Sequence, residues 1–290
     1  MPELPEVETV CRGLSLLITD KTIKIATCFD SPKSFPNDIH TVEQFMHGAS
    51  IIDIRRRAKV LLIDLDTAYT LVIHLKMTGQ LVYRGEQVFG AGHPNDSLIG
   101  ELPDRSTRVD VEFTDDSHLY FNDQRKFGWM KLYPTLEVPN IDFMQRVGPE
   151  PLEDSFGAAE FIPRIRRRNG TSIKVAILDQ TVLAGVGNIY ADESLWGAKI
   201  HPSTRVKDVS DSQLAELVHE IKYVMNLSIE KGGSTDKNYV NAEGKRGSYI
   251  DFARVFRKEG VACPRHPDVV IEKIRVAGRG THICPVCQPA

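Results

Sequence analysis

Four prolines fall between residues 131 and 152 (Pro134, Pro139, Pro149 and Pro151), and the hydrophobic period differs on the two sides of them. Before them, Leu71, Ile73 and Leu75, and again Val109, Val111 and Phe113, recur at every second residue, the period of a strand with one buried face. The runs 22–29, 50–65, 69–83 and 108–122 read as an antiparallel sandwich or barrel. One helix is expected ahead of them, over residues 3–18, with Val7, Val10, Cys11, Leu14, Leu17 and Ile18 at helical spacing. Pro5 suits its first turn, and Glu3, Glu6 and Glu8 suit the positive end of its dipole. After the prolines the period is helical, with helices expected near 154–168, 171–180, 188–199 and 210–231, the last stopped by Gly232-Gly233. Residues 86–107, rich in Gly, Pro, Asn and Asp, are expected to be a mobile excursion, and 234–250 a flexible loop. The final stretch reads as a β-hairpin, 269–276 and 281–284 flanking Ala277-Gly278-Arg279-Gly280. The expected fold is therefore α+β: an N-terminal antiparallel β-sandwich domain with flanking helices over 1–133, a linker over 134–152, a helical domain over 153–245 and a hairpin domain over 246–290.

Hydrophobic residues make up 41% and charged residues 26%, which excludes disorder, collagen and coiled coil for the chain as a whole. Apolar runs such as Val60-Leu61-Leu62-Ile63 are far short of the roughly 20 residues of a membrane helix. The N-terminal segment has acids where a signal peptide has bases. The reading is a cytoplasmic protein with no membrane partner. Net charge is −3, but it is unevenly placed: residues 244–290 carry nine basic and four acidic residues, a surplus of five, and the rest of the chain stands at −8. A basic end on an acidic body points to a local contact with a polyanion. Of five cysteines, Cys11 and Cys28 stand alone and read as small apolar residues, and the odd count argues against a disulfide framework.

The two ends carry the chemistry. Methionine before proline is normally cleaved, which would leave Pro2 with a free secondary amine. Amines add to carbonyl-like carbons and form Schiff bases. An α-amino group ionises near pH ~8, so a sizeable neutral fraction exists where a lysine would need strong tuning. Glu3 beside it is a candidate general acid/base. At the other end, Cys263-x2-His266 and Cys284-x2-Cys287 are two metal-binding knuckles separated by 17 residues, and together they satisfy one tetrahedral zinc. His282 is the rival imidazole, but it lies too close to Cys284 for a chelating turn. The hairpin between the knuckles is expected to carry Gly278-Arg279-Gly280 at its tip, suited to a phosphate or a duplex groove. Between the two ends lies Leu183-Ala184-Gly185-Val186-Gly187-Asn188-Ile189-Tyr190-Ala191-Asp192-Glu193. Asn188 reads as the N-cap of a helix whose first N–H groups could meet a phosphate.

These residues resemble formamidopyrimidine-DNA glycosylase. The resemblance rests on Pro-Glu-Leu-Pro-Glu-Val-Glu-Thr after Met1, Arg-Arg-Ala-Lys at 56–59, His74-Leu75-x-Met77-x-Gly79, Gly148-Pro149-Glu150-Pro151, the 185–193 stretch and Gly278-Arg279-Gly280-Thr281 running into the cysteine pair. It runs in order from residue 2 to 288. It implies a β-sandwich domain followed by a helix–two-turn–helix domain and a zinc-finger hairpin. The implied activity is that of a bifunctional DNA glycosylase and AP lyase, acting as a monomer on double-stranded DNA with an oxidised purine or an abasic site, with one structural zinc and no catalytic metal.

The resemblance also assigns roles. Pro2 would attack C1′ of a nucleoside flipped from the duplex, and Glu3 would assist opening of the sugar ring. Lys59 would hold a phosphate at the lesion, Asn188 and Arg279 would clamp flanking phosphates, and Lys174 is a weaker candidate for the same clamp. Met77, Arg125 and Phe127 match the trio that fills the gap left by the flipped base. Two departures stand out. The family's usual Lys-His-Asp-His is Arg105-Ser106-Thr107-Arg108 here, so Arg105 or Arg108 is expected to replace a phosphate-contacting histidine. The second zinc ligand is His266 where cysteine is usual. A rival reading is an oxidised-pyrimidine glycosylase resembling endonuclease VIII, which favours Gly at the position of Leu4. Another is a catalytically silent DNA-binding protein, against which Pro2, Glu3, Lys59 and Arg279 together argue.

Overall fold

A computed structural model describes residues 2–93, 95–234 and 249–290, and the expected loop over 234–250 lies almost wholly outside them. The chain divides into two units, the first running to Gln145 and resuming at Lys231, the second made of Arg146–Glu230 and Tyr249–Ala290.

The first unit opens with helix α1 (Leu4–Ile18). Strand β1 (Ile23–Cys28) and the short helix α2 (Ile39–Phe45) follow, then eight strands: β2 (Ile51–Arg57), β3 (Val60–Leu65), β4 (Tyr69–His74), β5 (Gly79–Arg84), β6 (Val88–Gly92), β7 (Thr107–Phe113), β8 (His118–Asp123) and β9 (Trp129–Pro134). They form two antiparallel sheets, of order β1-β7-β8-β5-β6 and β2-β3-β4-β9. Val7, Val10, Leu14 and Ile18 of α1 share one core with Ile63, Leu71 and Ile73 of one sheet and Leu81, Val109 and Phe121 of the other. This is the expected sandwich with its flanking helix.

Three details differ from the sequence reading. Runs 50–65, 69–83 and 108–122 are each two strands. Ala58, at φ 53°, turns β2 into β3. The turn after His74 passes the chain from one sheet to the other. The 86–107 segment is not wholly an excursion, because β6 pairs with β5 and buries Phe89 and Ala91. Its two glycines read as loop although they lie in a strand. The proline-rich segment is also structured: β9 pairs with β4, and Val138, Ile141, Phe143 and Met144 pack on the outer face of the four-stranded sheet. Pro139 sits inside a 3₁₀ turn, which tolerates it better than an α-helix would. That cover explains β3, whose six residues are all buried, so that it shows no alternation.

The short helix α3 (Asp142–Arg146) ends this cover. In the second unit come α4 (Ala158–Arg166), α5 (Ile173–Leu178), α6 (Asn188–Gly197), α7 (Asp211–Glu230) and the single turn α8 (Tyr249–Phe252). The hairpin is β10 (Glu272–Val276) with β11 (Arg279–Ile283). Ala277 and Gly278 form its two-residue turn, both at positive φ (46° and 78°), the backbone that matches hairpin twist. Arg279 is therefore not at the tip, as expected, but the first residue of β11, paired with Val276. Among the described residues no helix is long and apolar enough to cross a membrane.

Candidate functional site

In the first unit, Pro2 and Glu3 are both buried at the start of α1, Glu3 with 3% of its surface exposed. The Glu6 carboxylate fixes the backbone there. It accepts the Glu3 N–H at 2.8 Å and the Ser234 N–H at 2.9 Å. Sequence reasoning gave Glu6 only a dipole role, because the second contact comes from a residue 228 positions further along the chain.

Lys59 is buried within the β2–β3 turn, of which it is the second residue. Burial, together with the positive charges of Lys76 and Lys59, presses the His74 imidazole down to about 3. The ring is thus neutral at physiological pH. Its Nδ1 accepts the Lys76 N–H at 3.0 Å, which leaves the proton on Nε2 as a neutral donor. His74 entered the sequence reading only as part of a motif.

Met77 and Phe127 are 40% and 56% exposed, and Arg125 is exposed with its guanidinium 4.9 Å from the Phe127 ring centroid. Exposed apolar side chains on turns of a well-packed sandwich are not core residues, which removes the ordinary explanation for them. Arg108 differs from expectation. It is buried, its Nε donates to the Asp123 carbonyl at 2.8 Å, and its other nitrogens reach the Arg105 carbonyl at 2.9 Å and the Asp30 carboxylate at 2.5 Å. An arginine so engaged braces the end of β7 and presents no charge to a ligand. Arg105 is the exposed member of the pair.

In the second unit, Lys174 also departs from the clamp role. It is 1% exposed, and its ammonium donates to Asp192 at 2.5 Å, to Thr281 Oγ1 at 2.7 Å and to the Gly280 carbonyl at 3.3 Å. Lys174 therefore stands behind β11 rather than facing solvent. Asn188 is the first residue of α6, and the N-cap is Gly187, which has no side chain to cap the helix. Asn188 Nδ2 donates to the same Gly280 carbonyl at 3.1 Å. The hairpin strand that carries exposed Arg279 is thus tied to the amino end of α6. A second acid of α6 does parallel work: the buried Glu193 carboxylate accepts the N–H groups of Arg254, Val255 and Phe256 at 2.8–3.1 Å.

Cys263, His266, Cys284 and Cys287 bring their ligand atoms within 4.8 Å of one another. The Cys263 and Cys287 sulfurs are 3.7 Å apart, close to the ~3.8 Å edge of a tetrahedron with zinc–sulfur bonds near 2.3 Å. His266 Nδ1 lies 3.2 Å from Cys287 Sγ and 3.9 Å from Cys284 Sγ. Burial raises the Cys263 thiol, yet hydrogen bonds from the Arg265 backbone, Cys284 and the His266 backbone outweigh it and lower its pKa to about 6. His282 is engaged elsewhere, its Nδ1 3.1 Å from Asp192. The four residues suit one zinc ion, and with every tetrahedral position taken by protein the metal is structural.

Three family models match the chain. Residues 1–130 match the formamidopyrimidine-DNA glycosylase N-terminal domain, 147–239 its H2TH domain and 269–290 a zinc finger found in FPG and IleRS. The formamidopyrimidine-DNA glycosylase of Herpetosiphon aurantiacus is 42% identical over 291 residues, covering 99% of this chain and 100% of the relative. That of Desulforamulus reducens is 38% identical, with all of both chains covered. Among solved structures, the Lactococcus lactis Fpg bound to DNA containing an abasic site superposes with a TM-score of 0.87 at 32% identity, over 99% of this chain and 100% of that one. A mutant of the same protein bound to Fapy-dG DNA gives the same TM-score and identity, over 100% of both chains. With relatives this similar along the full length of both sequences, the chain belongs to the formamidopyrimidine-DNA glycosylase family.

Proposed function

We propose that this protein is a base-excision repair DNA glycosylase and AP lyase that removes oxidised purines, 8-oxoguanine and formamidopyrimidines, from double-stranded DNA. The observation that carries the reading is the full-length family match in a chain that keeps Pro-Glu at its start. After Met1 removal, the Pro2 nitrogen bonds to C1′ of the extruded nucleotide. The glycosidic bond breaks, and the base leaves with a proton. Glu3 donates a proton to the ring oxygen as the sugar opens. The resulting iminium acidifies the C2′ proton; its loss expels the 3′ phosphate, and a second elimination expels the 5′ phosphate. No step calls on the zinc, whose four protein ligands hold the hairpin.

Lys59 is the proposed phosphate contact of the first unit, and Met77, Arg125 and Phe127 fill the space of the extruded base. Asn188 and Arg279 contact backbone phosphates from the second unit, with Lys174 positioning their support. The protein acts as a cytoplasmic monomer at the nucleoid. Of the stretch expected as a linker over 134–152, residues 134–145 belong to the catalytic domain, whose sheet they cover, and the helical DNA-binding domain and the zinc hairpin follow.

Cleavage of an 8-oxoguanine:cytosine duplex should exceed that of a thymine-glycol duplex by about ten-fold or more. The reverse preference would favour the oxidised-pyrimidine reading.

Arg279→Ala tests the clamp. Each phosphate neutralised contributes about −0.9 to the slope of log affinity on log salt. The variant should bind lesion and abasic duplexes more weakly to the same degree, with a slope shallower by about 1, because a phosphate contact carries no base information. Selective loss of one lesion type would place Arg279 in base recognition instead.

A further inference from the structure

Asp123 ends β8 with none of its surface exposed, and among the described residues the donors to its carboxylate come from two turns. Oδ1 accepts the Thr78 hydroxyl and, at 3.1 Å, the Arg125 N–H. Oδ2 accepts the Gly128 N–H at 2.6 Å. The Arg125 N–H lies 3.2 Å from the Thr78 hydroxyl as well, which closes a ring across the two turns. Thr78 is the neighbour of Met77, and Gly128 is the neighbour of Phe127. One buried carboxylate thus ties together, through one side-chain hydroxyl and two backbone N–H groups, the two turns that carry Met77, Arg125 and Phe127.

The surroundings are built for this contact. A Cβ on Gly128 would lie 2.8 Å from the Phe121 ring and 3.1 Å from Asp123 Oδ2, so a side chain there would push the turn off the carboxylate. Lys126 sits at φ 57°, reversing the chain between Arg125 and Phe127. Its ammonium is 2.7 Å from Asp30, the acid that also pairs with Arg108, and Arg108 in turn donates to the Asp123 carbonyl. The turn is anchored at its carboxylate, at its backbone and at its exposed lysine.

We propose that Asp123 is a positioning residue that clasps the 75–78 and 124–128 turns, so that Met77, Arg125 and Phe127 enter a duplex as one rigid wedge. This rests on the reading of those three side chains as fillers of the gap left by an extruded base. A wedge must hold its shape against the base stack while the damaged nucleotide leaves, and small misplacements at a reacting site cost large factors in rate. At an abasic site there is no damaged base to unstack, so a loose wedge matters less there. That asymmetry separates positioning from general stabilisation of the sheet.

The experiment compares single-turnover base excision from an 8-oxoguanine duplex with strand cleavage of a preformed abasic duplex. Asp123→Asn keeps the volume but sets an amide NH2 against N–H donors. Base excision should fall about ten-fold or more, while abasic cleavage changes less than about three-fold. The fluorescence rise of a 2-aminopurine placed beside the lesion should slow in step with excision. Thr78→Val should repeat the pattern more weakly, and Thr78→Ser, which keeps the hydroxyl, should restore it. Should Asp123→Asn fail to fold, the Thr78 pair carries the test. Equal losses on both substrates, no loss on either, or indistinguishable Val and Ser variants would overturn the clasp. Failure of the wild-type protein to excise the base would overturn the glycosylase reading instead.

Discussion

Protein that retains Met1, verified by mass, is expected to lose base excision and abasic-site cleavage by at least about 10³-fold while binding a lesion duplex within a few-fold of the processed form. An added residue turns the Pro2 nitrogen from a secondary amine into an amide, whose lone pair is delocalised into the carbonyl and does not add to C1′. The phosphate contacts proposed for Lys59, Asn188 and Arg279 are untouched. Chemistry and binding should therefore separate, and the rate should return when Met1 is removed. Equal loss of both would mean that the extension disturbs the buried start of α1, where Glu6 holds the Glu3 N–H, and is not acting through the nucleophile.

The second large effect concerns His266. His266→Ala should lose its zinc, and DNA affinity should fall with it by about 100-fold. His266→Cys should keep both, because thiolate and imidazole each complete a tetrahedral set. The reason lies in the size of the hairpin. Two strands of five residues are marginal alone, and binding of a structural zinc contributes folding free energy directly. Without the metal, Arg279 and the Gly280 carbonyl lose their fixed place against Asn188 and Lys174. Metal content by elemental analysis and affinity by fluorescence anisotropy would be measured on the same samples. Stoichiometric zinc in His266→Ala would contradict the ligand assignment, and loss of zinc in a His282 variant alone would point to the rival imidazole.

How far the sequence could be read depended on whether the deciding partner was local. Helix α7 and the final hairpin announce themselves by short-range pattern and by their glycines, and α6 by the glycines that precede it. The zinc ligands do so by two-residue gaps, and the structure brings those four side chains together. The arginines of 105–108 could not be sorted that way. Arg108 turns inward because its partner Asp30 lies 78 residues earlier, while Arg105 remains exposed. Lys174 looks like any cation near a helix start until Asp192 and Thr281, 18 and 107 residues away, take its ammonium. Strand β3 has no alternation because its second face is covered by residues 138–144, which in sequence look like linker. Asp123 and Glu193 carry no signal of their own, since an acid that collects backbone N–H groups cannot be told from a solvated one without the fold.

Reductive trapping tests the central claim most directly. Processed protein would be incubated with an 8-oxoguanine duplex and borohydride, digested, and the peptide bearing the nucleotide adduct sequenced by mass spectrometry. The account predicts a covalent complex with the adduct on the nitrogen of Pro2. An adduct on the side chain of Lys59 or another lysine, or base excision with no trapped complex at all, would contradict it.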